Sequence, residues 1–345
     1  MIRCLGVDTS NYRTSVALTE YAENGSMRIV NAYGKLLDVK AGERGLRQSA
    51  ALFQQVKNLP LVFRNSGIRI DGSDGSDSLC VACSTKPRPE KGSYMPVFLA
   101  GESFAMSLGS VLNVPVYRFS HQEGHIAAAA YDRLPSDVRH LAAFHFSGGT
   151  TEMLLVNRNA DGQLLSVRKI GGTLDLSFGQ LLDRVGVLAG IHFPAGRELD
   201  QIAASGSEDK TLIPKIHTDG LYWNVSGIET KAERLLQTNI NLSVLSRTLF
   251  ERMGEVILSV IKEASEKFDV EDFLFSGGVS QSQTLRQVLG NHGTRMTDPE
   301  KGAVLRSGQK LWFGRPELCG DNAVGISLLG GQRHAAETGF CHTAE

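Results

Sequence analysis

The sequence predicts an α/β protein made of two duplicated lobes, on three observations. Residues 2–18 read as strand, hydroxyl-rich turn and strand. Residues 141–157 repeat that order around a glycine turn, and residues 272–290 read as strand, Gly-Gly turn and helix. Hairpins of one kind ~140 residues apart point to an internal duplication. Paired hairpins of this sort suit a two-lobed protein that clamps nucleotide phosphates, because glycine turns let backbone N–H groups approach phosphate closely.

The composition permits such a fold. A chain of 345 residues, 41% hydrophobic and 21% charged, is long enough for two globular domains. No apolar run approaches the ~18 residues of a membrane span. The N-terminus enters a strand pattern at once, so no signal peptide is expected and the cytoplasm is the expected location. A net charge of −1 argues against strong non-specific nucleic-acid binding and leaves room for a local basic patch. Five cysteines, an odd count, suit free thiols in a reducing compartment.

The first hairpin joins Ile2–Val7 to Ser15–Leu18 through Asp8-Thr-Ser-Asn-Tyr-Arg-Thr14. A hydroxyl-rich turn that starts with an acid donates to phosphate oxygens, holds a cation's water, or is a plain polar hairpin. Residues 27–38 read as a further strand pair. Gly45 to Ser66 has helical spacing, with Pro60 expected to break or kink it. Asp71-Gly-Ser-Asp-Gly-Ser-Asp77 is an acidic surface loop. Ser78 to Ser84 reads as a buried strand whose Cys80 and Cys83 point to opposite faces, which makes them core thiols rather than a metal or redox pair. The loop Thr85 to Pro96 is rich in proline and base. Its Lys86, Arg88 and Lys91 face either phosphate or solvent. A helix follows over Val97–Val111.

Val114 to Ser120 has a strand's composition and Ile126 to Leu134 a helix's. Between them stands His121-Gln-Glu-Gly-His125. Histidines at i and i+4 share one helix face and can bind one metal ion. The alternative is two solvated histidines near a helix start, where Glu123 suits the dipole. His145, in the strand before Ser147-Gly-Gly-Thr-Thr151, is either a core histidine or a further ligand. Asp183 is a solvated helical acid or a carboxylate for ribose hydroxyls. Leu242–Phe268 is a long amphipathic helix with a core-facing stripe. Gly277 and Gly278 put amides near a helix start, where they can hold a nucleotide. Asp321 and Asn322 precede an apolar helix. They either cap it, or Asp321 completes a His/His/Asp metal site.

Together these motifs resemble the TsaD/Gcp family, the tRNA threonylcarbamoyladenosine synthases formerly described as O-sialoglycoprotein endopeptidases. The resemblance runs from Gly6-Val-Asp-Thr-Ser10 to Arg315-Pro-Glu-Leu-Cys-Gly-Asp-Asn322. It passes through His121-Gln-Glu-Gly-His125, Ser147-Gly-Gly149, Asp183, Pro194-Ala-Gly196, Val225-Ser-Gly-Ile-Glu-Thr-Lys231 and Gly277-Gly-Val-Ser280. It implies the actin/sugar-kinase/Hsp70-like fold, with one lobe over 1–138, completed by a helix at 323–337, and the other over 139–322. It implies one divalent metal, iron or zinc, held by His121, His125 and Asp321, with His145 at the place of an aromatic ligand in one branch of the family. It implies an adenine nucleotide (ATP, ADP or the threonylcarbamoyl-adenylate) contacting His145, Phe146, Ser147, Gly148, Gly149, Asp183, Gly196 and Asp200, with Gly277, Gly278 and Ser282 beside it. The implied reaction moves a threonylcarbamoyl group to N6 of an adenosine next to the anticodon of tRNA. The implied partners are those of the transfer complex, or a second copy of the chain, with no membrane. The peptidase label has no support, because the glutamate in His121-Gln-Glu-Gly-His125 is one position away from that of His-Glu-x-x-His.

Several departures bear on the acceptor. Tyr12 and Arg13 stand where the family carries an acidic pair, and Lys86-Pro-Arg-Pro-Glu-Lys-Gly92 replaces a Gly-Pro-Gly loop. Thr150 replaces a histidine or asparagine, and Ser282 an asparagine. Thr9, Ser10, Arg13, Lys86 and Arg88 are assigned to the phosphate or acceptor side. Two alternatives follow: an adenylate-dependent carbamoyltransferase acting on a small molecule or protein, and a non-catalytic nucleotide-binding scaffold.

Overall fold

Apolar residues fill both faces of the first strand, β1 (Ile2–Thr9), where only Arg3 is not buried. A strand buried on both faces must lie inside a covered sheet. The computed structural model describes residues 1–10, 12–39, 46–70, 78–159, 163–291, 293–298 and 302–340. Gly45, the loop from Asp71 to Asp77 and Cys341 lie outside the described residues. By contacts the chain divides into two units. The first is Met1–Tyr131, Arg158–Val167 and Asp321–Glu345; the second is Asp132–Asn157 and Arg168–Gly320.

In the first unit β1 is followed by β2 (Arg13–Tyr21), β3 (Met27–Leu36), α1 (Gln48–Ser66), β4 (Ser78–Lys86), α2 (Phe98–Leu112), β5 (Val116–Ser120) and α3 (His121–Ala130). The sheet order is β3-β2-β1-β4-β5. β1, β2 and β3 are antiparallel, whereas β1, β4 and β5 run parallel. Residues 27–38, expected as a strand pair, instead give the single edge strand β3. Its Asn31 and Gly34 look like turn residues, but an edge strand tolerates them. Pro60 neither breaks nor ends α1. It stands on the exposed side, where solvent meets the carbonyl that lacks its usual donor. α3 ends at Ala130 rather than Leu134, because Tyr131 leaves the helical conformation.

The sheet is covered on both faces. On one, Leu5, Val7, Val16, Val81 and Cys83 pack with Leu59 and Val62 of α1 and Ala105 of α2. On the other, Ile2, Cys4, Cys80 and Ala82 form a separate cluster. Cys80 and Cys83 therefore do point to opposite faces, and burial pushes the Cys83 thiol up to about 12.

The second unit contains β6 (His140–Phe146), β7 (Thr151–Arg158), β8 (Leu164–Thr173), α4 (Phe178–Leu188), α5 (Gly196–Ala204), β9 (Thr218–Asp219), β10 (Tyr222–Trp223) and α6 (Ser226–Leu236). It continues with α7 (Leu242–Phe268), β11 (Asp272–Ser276), α8 (Gln283–Asn291), β12 (Gly293–Asp298), β13 (Gly302–Leu305), β14 (Lys310–Phe313) and α9 (Pro316–Cys319). The run β8-β7-β6-β11-β14 within its sheet repeats the order of the first sheet. As there, an antiparallel hairpin (β6, β7) is followed by parallel neighbours (β6, β11, β14). The α7 stripe is core: Leu245, Leu249, Met253, Val256, Val260 and Ala264 are buried.

The last helix, α10 (Val324–Thr338), belongs to the first unit and packs beside Cys4 and Cys80. Ser327 Oγ lies 2.7 Å from the Cys4 carbonyl and 2.8 Å from Thr19 Oγ1. Near its end runs a directional hydrogen-bond chain. Tyr117 donates to Glu337 (3.0 Å), so its oxygen accepts from His334 Nδ1 (3.0 Å), and His334 Nε2 accepts from Ser78 (2.6 Å).

Candidate metal centre and nucleotide loops

α3 starts where the sequence allows. Ser120 Oγ accepts the Glu123 N–H, and the Glu123 carboxylate accepts the Ser120 N–H, so a capping box fixes the first turn. That turn carries His121, and His125 follows one turn later on the same face. α10 crosses α3 at two glycines. A Cβ on Gly325 would overlap the Gly124 carbonyl. This close approach brings Asp321, just before α10, onto both imidazoles. Asp321 does not cap the helix, whose N-cap is Ala323; just before it, Asn322 Oδ1 accepts the Val324 N–H at 3.0 Å.

The two Nε2 atoms are 3.0 Å apart, and Asp321 Oδ1 lies 3.5 Å from His121 Nε2 and 3.3 Å from His125 Nε2. Among the described residues these three form the group able to hold a metal ion. A circle through the three atoms has a radius of about 1.9 Å, within reach of the ~2.0–2.2 Å bonds that imidazole and carboxylate make to zinc. Around them, Asp8 Oδ1 takes His121 Nδ1 at 3.0 Å and the Ser84 hydroxyl at 2.5 Å. Ser10 Oγ donates to Asp321 Oδ2 at 2.7 Å.

The charges respond to this crowding. Burial alone would push His121 down, but Asp8 and Asp321 outweigh it and raise it to about 10. His125 is lowered, first by burial and then by the charge of His121. Burial opposes ionisation of Asp321, yet bonds from His121 and His125 hold it well below the usual carboxylate range. One proton is thus gripped between two carboxylates, at a place whose donor set calls for positive charge.

The other residues assigned to the phosphate or acceptor side have partners of their own. Thr9 Oγ1 donates to the Val97 carbonyl and accepts the Gly101 N–H, inside the fold. Arg13 lies over Gly34, with Nη2 3.4 Å from that residue's carbonyl. Lys86 folds back onto the Pro89 carbonyl, and the Arg88 N–H donates to Ser93.

The second unit holds the expected nucleotide residues. His145 is buried on β6, in register with Glu152 and Ser276. The Phe146 ring is core, against Phe144 and Phe178, so only its backbone faces the loops. Ser147 closes its turn by accepting the Thr150 N–H, and Gly148 receives the Ser177 hydroxyl. Gly277 takes φ +89 beside the Phe146 backbone, where a side chain would collide. The helix expected at Gln281 is first a short 3-10 turn over Gly278–Gln281. Asp183 Oδ1 accepts the Ala195 and Gly196 N–H groups, at 2.8 and 3.2 Å. Asp200 accepts Ser282 Oγ and the Gln283 and Thr284 N–H groups, and so caps α8. Sequence reasoning missed Asp175, which accepts the Val225 and Ser226 N–H groups at the start of α6. Its only sequence signal was an acid ahead of a helix-bearing motif, 50 residues away.

Solved structures share this fold at low identity. Component A of Acidaminococcus fermentans (R)-2-hydroxyglutaryl-CoA dehydratase is 14% identical over 97% of this chain and 100% of its own, with a TM-score of 0.53. HypF of T. kodakarensis is 13% identical over 99% of this chain, with a TM-score of 0.55; this chain spans about half of it, 48%. A ROK family protein from Streptococcus pneumoniae, solved with sucrose, is 12% identical over 98% of this chain and 99% of its own, with a TM-score of 0.51. Topology and likeness agree on the actin/sugar-kinase/Hsp70-like fold. No helix among the described residues is long and apolar enough to cross a membrane. The family model for TsaD, tRNA N6-adenosine threonylcarbamoyltransferase, matches residues 76–328, and the chain belongs to that family.

Proposed function

We propose that this protein moves a threonylcarbamoyl group from its adenylate to N6 of an adenosine next to the anticodon of tRNA. The observation that carries the reading is the His121/His125/Asp321 group in a chain of this family. The donor is a mixed carbamoyl–phosphate anhydride and is already activated. The acceptor nitrogen attacks the carbamoyl carbon, the bond from that carbon to the phosphate oxygen breaks, AMP leaves, and the nitrogen loses one proton. No protein nucleophile is needed, so the chain's task is orientation. His121, His125 and Asp321 would hold one divalent ion, iron or zinc, which when bound supplies Lewis acidity to the carbonyl or the leaving phosphate. In the second unit the Ser147–Gly149 amides and the Gly277 turn suit phosphate, and Asp183 suits ribose hydroxyls. Reconstitution of the full chain with tRNA, the adenylate-forming enzyme and partner proteins should give the modified adenosine. His121→Ala and His125→Ala should abolish it. No modified tRNA from the wild type, together with no rescue of a strain lacking this modification, would sink the proposal.

One observation favours a second reading, carbamoyl transfer to a small or protein acceptor. Among the described residues the Arg13 guanidinium meets the Gly34 carbonyl and no carboxylate, so it suits an acceptor with an anionic group. Adenylate turnover without tRNA, weakened in Arg13→Gln, would select this reading.

A further inference from the structure

We infer that Asp8, clamped by Ser84, is a positioning residue that sets which nitrogen His121 offers to a metal. This rests on the reading of His121, His125 and Asp321 as ligands. Asp8 lies near the end of β1 and is fully buried, as is Ser84 on the neighbouring strand β4. Asp8 Oδ1 accepts from both His121 Nδ1 and the Ser84 hydroxyl. Oδ2 is equally buried and meets no donor among the described residues.

A carboxylate here is a costly choice for structure alone. A buried acceptor without a donor is unfavourable, and a buried negative charge more so. Asparagine has the same shape and could accept the Ser84 hydroxyl as well. What a carboxylate adds is twofold. It accepts only, so the hydrogen of a neutral His121 must sit on Nδ1. The Nε2 lone pair is then left facing His125 Nε2 and Asp321, where a ligand atom is needed. It also adds charge: Asp8 and Asp321 with two neutral imidazoles make a set of formal charge −2, matched to a divalent cation. An asparagine amide in its place can present its NH₂ instead, which permits the opposite tautomer and removes half of that charge. Ser84 leaves Asp8 one orientation, because it occupies the same oxygen as His121.

The test uses the full-length chain and zinc alone, by chelator competition, with the ring ¹⁵N shifts of His121 in the zinc-loaded protein as a second readout. Asp8→Asn should weaken zinc binding by roughly 10–100-fold and shift His121 away from the Nδ1–H form. Asp8→Glu should recover part of both. Ser84→Ala, a smaller perturbation if Asp8→Asn fails to fold, should weaken zinc about fivefold, the worth of one net hydrogen bond. A wild type that binds neither zinc nor ferrous iron overturns the metal reading and this inference with it. Wild-type zinc binding with unchanged affinity and tautomer in Asp8→Asn, or unchanged affinity in Ser84→Ala, overturns the inference and leaves the metal reading standing.

Discussion

The His121/His125/Asp321 end of the first unit and the loops of the second use carboxylates in opposite ways. Asp175, Asp183 and Asp200 all accept backbone N–H groups and tie loops to helix starts. Asp8 and Asp321 accept from imidazoles and hydroxyls, so charge faces charge. The first arrangement holds a shape, with the charged form favoured at Asp175 and disfavoured at Asp183. The second builds a field and depends on it entirely. Substitutions can separate the two cases.

The largest effect should come from the crossing that assembles the charged group. Gly325→Ala places a methyl on the Gly124 carbonyl and should cost roughly 1–3 kcal/mol, the range for overpacking. Zinc stoichiometry should fall with it, read by metal analysis beside a urea midpoint. Full zinc at an unchanged midpoint would show that the crossing tolerates a side chain. Asp200→Ala strips the Gln283 and Thr284 N–H groups at the α8 start of their acceptor, leaving the Ser282 hydroxyl on the Leu285 N–H, and should cost ~1–2 kcal/mol. Zinc affinity should stay as it was; a parallel loss of zinc would erase the contrast between the two sets of carboxylates.

Asp183→Asn should go the other way. Burial raises the Asp183 carboxyl above its ordinary value despite the two N–H bonds. A carboxyl raised in the folded state favours folding at acid pH, and that contribution is lost as pH rises through its folded value. A neutral amide of the same shape should therefore leave stability at neutral pH unchanged or higher while nucleotide binding weakens. A clear drop in melting temperature would mean that the charge itself is structural.

The smallest effect concerns His334, which burial lowers below its ordinary value. Below about pH 6.5 the unfolded chain takes up a proton that folded His334 refuses. Stability should thus fall as pH drops from that point. His334→Gln should flatten this part of the melting-temperature profile; an unchanged slope would assign it to another group.

One part of the candidate metal centre was legible in the sequence directly. The His121–His125 spacing is a property of a single helix, and period alone puts both rings on one face. Asp321 as a candidate ligand needed the family resemblance, because nothing local distinguishes a ligand from a helix cap; in the molecule the N-cap is Ala323. Asp8 and Ser84 were hidden because their meeting depends on β1 lying beside β4. Asp175 was hidden for a similar reason, since its partners lie in a separate segment. The duplicated hairpins were legible because strand, turn and strand are contiguous. Residues 27–38, expected as a strand pair, form the single strand β3 because it pairs with β2 along its length, a partner outside the segment itself.

The reach between Ser10 and Asp321 has a consequence for how the protein is made. Their bond joins residues 311 positions apart, and α10 fills the sheet face beside Cys4 and Cys80. A nascent chain would present the His121–His125 pair long before Asp321 has been synthesised. Contacts so distant in sequence form late and slowly. An ion held by His121, His125 and Asp321 together would therefore arrive after translation rather than guide it, so that loading would distinguish finished chains from interrupted ones.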